Sequence, residues 1–161
     1  MGIHRPRRRN SLRYPGYDYA QPGAVYITIC THERQHIFGK VEDGVMAHSP
    51  AGLAVIARWE AIPGRFPTVG IDMVVVMPDH LHGIVFTGTD PDTEAGRATL
   101  GEVVRSFKAS VYSDYGRGVK RHGWPRYDGA LWQPNYYDHI VRTDAELATI
   151  RAYIEGNPGR W

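Results

Sequence analysis

Apolar residues fall in short blocks whose spacing changes along the chain, and each change predicts a different element. Residues 24–31 (AVYITICT) are dense in β-branched and aromatic side chains, the pattern of a strand. Residues 37–41 and 45–47 flank Glu42-Asp43-Gly44, where Asp-Gly readily supplies the positive φ of a tight hairpin. Ser49 opens a helical pattern through Leu53, Ile56, Ala57 and Trp59, expected to stop at Pro63-Gly64. Residues 71–77 form an apolar run broken only by Asp72 and ending at Pro78-Asp79. Residues 80–87 follow at once, so two adjacent strands are expected at the sheet centre.

Residues 88–96 read as a mobile loop. Leu100, Val103, Val104, Phe107 and Val111 show the three-and-four spacing of an amphipathic helix over 100–115. Residues 116–129 read as irregular and basic, and 130–141 as containing an extended segment with Trp132, Tyr136 and Tyr137. Thr143-Asp144-Ala145-Glu146 fits a capping box for a last helix, which Pro158-Gly159 ends. The order of elements predicts an α+β sandwich with helices packed on a largely antiparallel sheet.

At 161 residues, 42% hydrophobic and 22% charged, the chain fits one folded domain rather than a disordered or fibrous protein. Its single cysteine, Cys30, excludes an internal disulfide and a cysteine-only zinc site. The longest apolar run, residues 73–77, is far short of the ~20 residues that span a bilayer, so no membrane role is expected. No apolar segment follows the arginine-rich start, so it is not read as a secretory signal, and the expected location is cytoplasmic.

Charge changes the picture more by its placement than by its net value of +2. Arg5, Arg7, Arg8, Arg9 and Arg13 form an acid-free basic arm, which with an irregular entry occupies residues 1–22 ahead of a domain at 23–161. A second basic stretch holds Arg105, Lys108, Arg117, Lys120, Arg121 and Arg126 against Asp114 alone. Both fit a polyanion partner, because arginine and lysine displace the counterions condensed on phosphates. They equally fit a solubilising tail and a solvated helix face.

His80-Leu81-His82 lies on a predicted strand, so both imidazoles face one side and Leu81 the other. The pair suits a shared divalent ion, or two strand histidines with structural partners. A metallo-hydrolase His-X-His-X-Asp cluster is absent, because Ile84 stands at the aspartate position. Tyr153 and Asn157 are four apart on the last helix and share a face near Ile150 and Ile154. Tyr153 is therefore either a core aromatic or, if its helix packs beside the histidine strand, a nucleophile. Asn157 would then offer a neutral oxygen, and this donor set suits Mg²⁺ or Mn²⁺ better than thiolate-loving metals.

Met77-Pro78-Asp79-His80-Leu81-His82-Gly83-Ile84, followed downstream by Trp132-Gln133, Tyr136-Tyr137-Asp138-His139-Ile140-Val141-Arg142, Tyr153-Ile154 and Asn157-Pro158, resembles the REP-associated tyrosine transposases. These are relatives of the single-tyrosine HUH transposases, HUH denoting His–hydrophobic–His. Pro15-Gly16-Tyr17-Asp18-Tyr19 and Thr28-Ile29-Cys30-Thr31 extend the resemblance over nearly the whole chain. The resemblance implies a ferredoxin-like α+β fold with the histidine pair on a central strand. It also implies a metal-dependent endonuclease and strand transferase acting on single-stranded or hairpin DNA, as a monomer or homodimer. Carried over by position, His80 and His82 are metal ligands and Tyr153 the nucleophile. Asn157 stands where related transposases carry glutamine, and Asp79 where many carry asparagine.

DNA contacts are expected from Arg5, Arg7, Arg8, Arg9, Arg13, Arg105, Lys108, Lys120 and Arg121, with Tyr17, Tyr19 or Trp124 as stacking surfaces for unpaired bases. The reading from another class is a non-catalytic nucleic-acid-binding protein, such as a domesticated repressor. It has no use for the His80, His82, Tyr153 set.

Overall fold

A computed structural model describes residues 23–88 and 97–161. Strand β1 (Gly23–Cys30) leads through a tight turn at His32–Arg34 to a hairpin of β2 (Gly39–Glu42) and β3 (Val45–His48). Helices α1 (Pro50–Glu60) and α2 (Ile62–Arg65) precede β4 (Val69–Val76) and β5 (His80–Thr87). Helix α3 (Leu100–His122), β6 (Tyr137–Val141), α4 (Asp144–Glu155) and a closing 3-10 turn (Pro158–Arg160) complete the chain. The main sheet has the order β4-β5-β1-β6, with every pairing antiparallel, and β2-β3 form a separate ribbon. This is the expected α+β architecture, with the histidine strand β5 internal.

Alternation on the strands gives the sheet two chemically different faces. Val25, Ile27 and Ile29 of β1 and Leu81 and Val85 of β5 bury against Val55 and Trp59 of α1 and Val103, Val104, Phe107 and Val111 of α3. The opposite face presents Tyr26 and Ile84 to Ile150 and Ile154 of α4, forming a smaller second core. Gly83 lets the first layer close, because a Cβ there would meet the Trp59 ring at 2.3 Å. A register shift in β4 between Ile71 and Val74 exposes Asp72 to α4, whose Arg151 Nε donates to Asp72 Oδ2 at 2.6 Å.

Four elements differ from the sequence expectation. Pro63 does not end a helical stretch but sits in α2, where a missing N–H at a first turn costs nothing. Residues 37 and 38 stay outside the hairpin: Phe38 is fully buried, and its amide donates to Pro78 O. Helix α3 runs seven residues past the expected end, to His122. Its apolar face continues through Tyr115 and Gly118, where Trp124 folds back on the glycine, and Gly123 closes the helix at φ 68. At α4 only half the capping box forms: Thr143 accepts from Glu146 N, while the Glu146 carboxylate takes the Arg142 amide and pairs with His139. The reciprocal box is at α3, between Thr99 and Glu102. The arm and entry, residues 1–22, and most of the expected 88–96 loop lie outside the described residues.

Candidate active site

The hairpin joining β4 to β5 turns through Pro78 and Asp79, closed by Met77 N donating to His80 O at 2.8 Å. It delivers His80 and His82 onto the α4 side of the sheet, where both are buried. Antiparallel register sets Cys30 opposite His80 and Thr28 opposite His82. The two Nε2 atoms face each other at 3.1 Å.

Both Nδ1 atoms have polar partners behind the pair. That of His80 lies 2.6 Å from Asp79 Oδ1. That of His82 lies 2.8 Å from the Tyr26 hydroxyl and 2.8 Å from the Thr28 hydroxyl. Burial works against a charged Asp79, but hydrogen bonds from His80 and Arg34, with their charges, outweigh it and hold the carboxyl below its ordinary range. Arg34 spans the back of the site: Nε donates to Asp79 Oδ2 at 2.8 Å and Nη1 to Cys30 Sγ at 3.0 Å. Its backbone has φ 58, after Glu33 at φ 52, two consecutive left-handed residues that are not glycine. Such a conformation costs on the order of 1–3 kcal/mol per residue and persists only where surrounding contacts enforce it. Thr31 supplies them, accepting the Arg34 amide through its carbonyl and donating from its hydroxyl to Asp79 O.

Helix α4 brings Tyr153 to the same place. Ile150 and Ile154 are buried under the sheet, while Tyr153 is half-buried and meets His82 edge-on with ring centroids 5.7 Å apart. Ile150 and Ile154 fill the second core, and the Tyr153 ring packs against His82 instead. Arg160 places its guanidinium 4.6 Å from the Tyr153 ring centroid and donates to the Tyr153 carbonyl. Trp161 lies over His80, centroids 6.0 Å apart and planes 25° from parallel, and meets His36 edge-on at 5.4 Å. Asn157 is buried one turn beyond Tyr153, past the end of α4.

Nitrogens bound about 2.1 Å from one ion at octahedral or tetrahedral angles lie roughly 3.0–3.4 Å apart. The spacing of His80 and His82 falls in that range. Among the described residues no group of three or more His, Cys, Asp or Glu is arranged to hold an ion. The spacing of the two imidazoles fits an ion whose remaining positions go to water and substrate phosphate. Cys30, opposite His80 in register, accepts from Arg34, and His139 is paired with Glu146.

The basic stretch on α3 does not form one patch. Lys108 is half-buried and donates to Gln133 O at 2.7 Å, and burial, offset in part by Cys30, favours its neutral form. Arg105, Lys120 and Arg121 are exposed, with Arg105 on the Lys108 side of the helix and Arg121 toward the other. None of them approaches the histidine pair. Trp124 packs edge-on against Tyr115 and lines a cleft of about 410 Å³ with His36 and His48. The five N-terminal arginines, Tyr17 and Tyr19 lie outside the described residues. No helix among the described residues is long and apolar enough to cross a membrane.

Sequence reasoning missed Arg34, Tyr26, Thr28, Arg160 and Trp161. For Tyr26 and Thr28 a signal existed, since period-two alternation on β1 puts them on one face. For the others no local pattern pointed to the site.

The main antiparallel sheet thus carries a histidine–hydrophobic–histidine pair on an internal strand, faced by a helix-borne tyrosine. The chain shares that fold with a REP-associated tyrosine transposase bound to a REP hairpin, at TM-score 0.64 and 17% identity, covering 92% of this chain and 73% of that one. A candidate transposase from Deinococcus radiodurans matches at TM-score 0.52 and 18% identity, over 89% of this chain and 96% of the other. The chain belongs to one family with an uncharacterised protein of Haemophilus influenzae, 34% identical over 178 positions that cover 99% of this chain and 92% of its relative. No family model matches the sequence.

Proposed function

We propose that the chain is a metal-dependent single-strand DNA endonuclease and strand transferase of the HUH tyrosine class, acting on hairpin-forming repeat DNA. The observation that carries this reading is the meeting of Tyr153 with His82 and His80 on one face of one chain's sheet. Structural likeness to a transposase bound to a REP hairpin supports hairpin DNA as the substrate.

In this reading His80 and His82, with Asn157 as a neutral third donor, hold Mg²⁺ or Mn²⁺. The ion's contribution when bound is to withdraw charge from the scissile phosphoryl oxygens as a Lewis acid. Tyr153 Oη attacks phosphorus, the Oη–P bond forms and the P–O3′ bond breaks. The phenolic proton passes through solvent to the released 3′ oxygen, leaving a 5′-phosphotyrosine and a free 3′-hydroxyl. The phosphotyrosine keeps the transfer potential of the original diester, so rejoining consumes no nucleotide cofactor. Arg160, resting on the Tyr153 ring, orients the phenol and sets a cation beside the path of the phosphate. Arg105, Lys120 and Arg121, with the arginine arm, supply phosphate contacts, and Lys108 contributes less because it is half-buried.

The deciding experiment incubates the protein with labelled single-stranded hairpin DNA and Mn²⁺ and resolves the product under denaturing conditions. A protein-linked DNA band, absent in Tyr153→Phe, is expected. A mobility shift seen only on native gels overturns the catalytic reading in favour of a DNA-binding protein.

A further inference from the structure

Helix α3 and the segment that follows it enclose a cleft of about 420 Å³, the size of an ordinary small-ligand site. Lys108 and Tyr112 line it from the helix, Tyr127 and Trp132 from the segment. None of these rings belongs to the histidine–tyrosine site. Most of the lining is held from behind. Tyr127 meets the buried Tyr115 ring edge-on at 5.3 Å, and Tyr115 Oη donates to Pro125 O at 2.6 Å. Trp132 packs on Phe38 and Phe107 and gives its indole N–H to Lys108 O at 3.2 Å. Gln35 fixes the backbone between them, donating to Asp128 O at 2.9 Å and accepting the Asp128 amide at 2.6 Å. Tyr112 differs. It is 56% exposed, and its ring lies 6.4 Å from that of Tyr127 at 50°, too far from parallel for either to cover the other. A large aromatic face is left open beside a prebuilt cleft.

The charge at the cleft is positive. Lys108 spends one of the three donors of an ammonium on Gln133 O. Arg105 is exposed one turn earlier, on the face of α3 that carries Lys108 and Tyr112, and exposed Arg126 directly precedes Tyr127. Among the described residues no carboxylate lines the cleft, and Asp128, the acid of that segment, lies outside the lining. Aromatic faces beside cations are the combination that holds single-stranded nucleic acid, the rings taking bases and the cations phosphates. A paired base keeps its faces inside the helical stack and has none to offer.

We propose that this cleft is a subsite for one unpaired base of the substrate strand, stacked on Tyr112 beside Trp132, with a neighbouring phosphate held by Arg105. The proposal rests on single-stranded DNA as the substrate and adds the place where a base outside the hairpin stem is held. Strand β1 links the two sites: Thr31 bridges to Trp132 on one side, while Cys30, the residue before it, pairs with His80 on the other. Two strand spacings, about 10 Å of backbone, separate the cleft from the histidine strand, so one DNA strand serves both.

The test measures binding by fluorescence anisotropy with the full chain in chelator, on a labelled DNA hairpin carrying unpaired flanks. Tyr112→Ala is expected to weaken binding about tenfold, and Tyr112→Phe, which keeps the ring, to stay within twofold of the parent. The same hairpin without flanks is expected to bind the parent and Tyr112→Ala alike. A single abasic residue moved along the flanks is expected to cost about tenfold at one position in the parent, and nothing further there in Tyr112→Ala. Equal binding of the flanked hairpin by Tyr112→Ala overturns the subsite. So does an abasic scan of the parent with no sensitive position, which needs no variant to fold. A loss as large on the flankless hairpin assigns Tyr112 to duplex and also overturns it. Covalent attachment with Mn²⁺ decides the nuclease reading separately. An adduct without a Tyr112 effect removes the subsite alone, and Tyr112-dependent flank binding without an adduct removes the nuclease alone.

Discussion

The ring of Tyr153 stands edge-on to that of His82, 5.7 Å between centroids, within a single chain. One side chain comes from the closing helix and the other from the middle of the sheet, and both serve the face that α4 covers. Under the proposed function, the nucleophile and the metal ligands come from one chain.

That relationship predicts a failure of complementation. Tyr153→Phe mixed with a His80→Ala, His82→Ala double variant is expected to form no covalent adduct with hairpin DNA, at any ratio of the two. Adduct formation in the mixture, when each protein alone is inert, would show the tyrosine acting across a dimer and overturn the single-chain site.

Placement of Tyr153 depends on how α4 is docked, and the Arg151–Asp72 ion pair ties its outer side to the irregular part of β4. Asp72→Ala is expected to slow covalent attachment about tenfold, because small displacements of a reacting group cost orders of magnitude. Mn²⁺ affinity is expected to stay within twofold, since neither residue contacts the histidine pair. Parallel losses of both would mean that the substitution disturbs the sheet rather than the helix.

Removal of the ion gives a third expectation. Chelation is expected to abolish covalent attachment and leave DNA binding in place, with activity returning on addition of Mn²⁺. Full activity in excess chelator would leave His80 and His82 without a metal role.

Packing gives an expectation of another kind. A Cβ at Gly83 would lie 2.3 Å from the Trp59 ring, and the ring is locked between α1, α3 and the sheet. Gly83→Ala is expected to lower unfolding free energy by about 1–3 kcal/mol in urea titration. It should also reduce Mn²⁺ affinity, because Gly83 directly follows His82. A variant as stable as the parent would show that Trp59 has room to move.

Acid stability follows from Asp114 on α3, where the Arg58 guanidinium of α1 donates to both carboxylate oxygens at 2.6 and 2.7 Å. Those hydrogen bonds, opposed by burial and helped by the charges of Arg58 and Arg117, hold its carboxyl below the ordinary range. A depressed folded-state value means stability present above the unfolded pKa of about 3.9 and lost as pH falls through the folded one. Asp114→Asn is expected to cost about 1 kcal/mol at pH 7, with the gap from the parent closing below about pH 4. A gap that does not narrow at all as pH falls below 4 would assign the loss to packing instead of charge.

Much of the fold was legible because it is written in local periodicity. Near-continuous and alternating apolar runs marked β1, β4 and β5, and the three-and-four spacing marked α3. Alternation on β5 also put His80 and His82 on one face without any knowledge of what lay opposite. Errors came where tertiary contacts outvote local preference. Gly116 and Gly118 look like helix breakers, yet α3 continues through them because Trp124 packs on the bare backbone of Gly118. Glu146 has the right position for a capping box, but His139 of β6 and the Arg142 amide compete for its carboxylate.

The sequence by itself therefore determined the elements, the shared face of the two histidines, and the presence of a tyrosine one helix away from the end of the chain. Only the tertiary structure decided that Tyr153 faces the histidines while Ile150 and Ile154 take the core, and that Arg34, Asp79, Tyr26 and Thr28 surround the rings. The physical reason is distance along the chain. A side chain's face is set by the dihedral repeat of its own element, whereas its neighbours across the sheet depend on strand register, helix docking and a left-handed turn held by contacts from elsewhere. No periodicity in the sequence encodes those.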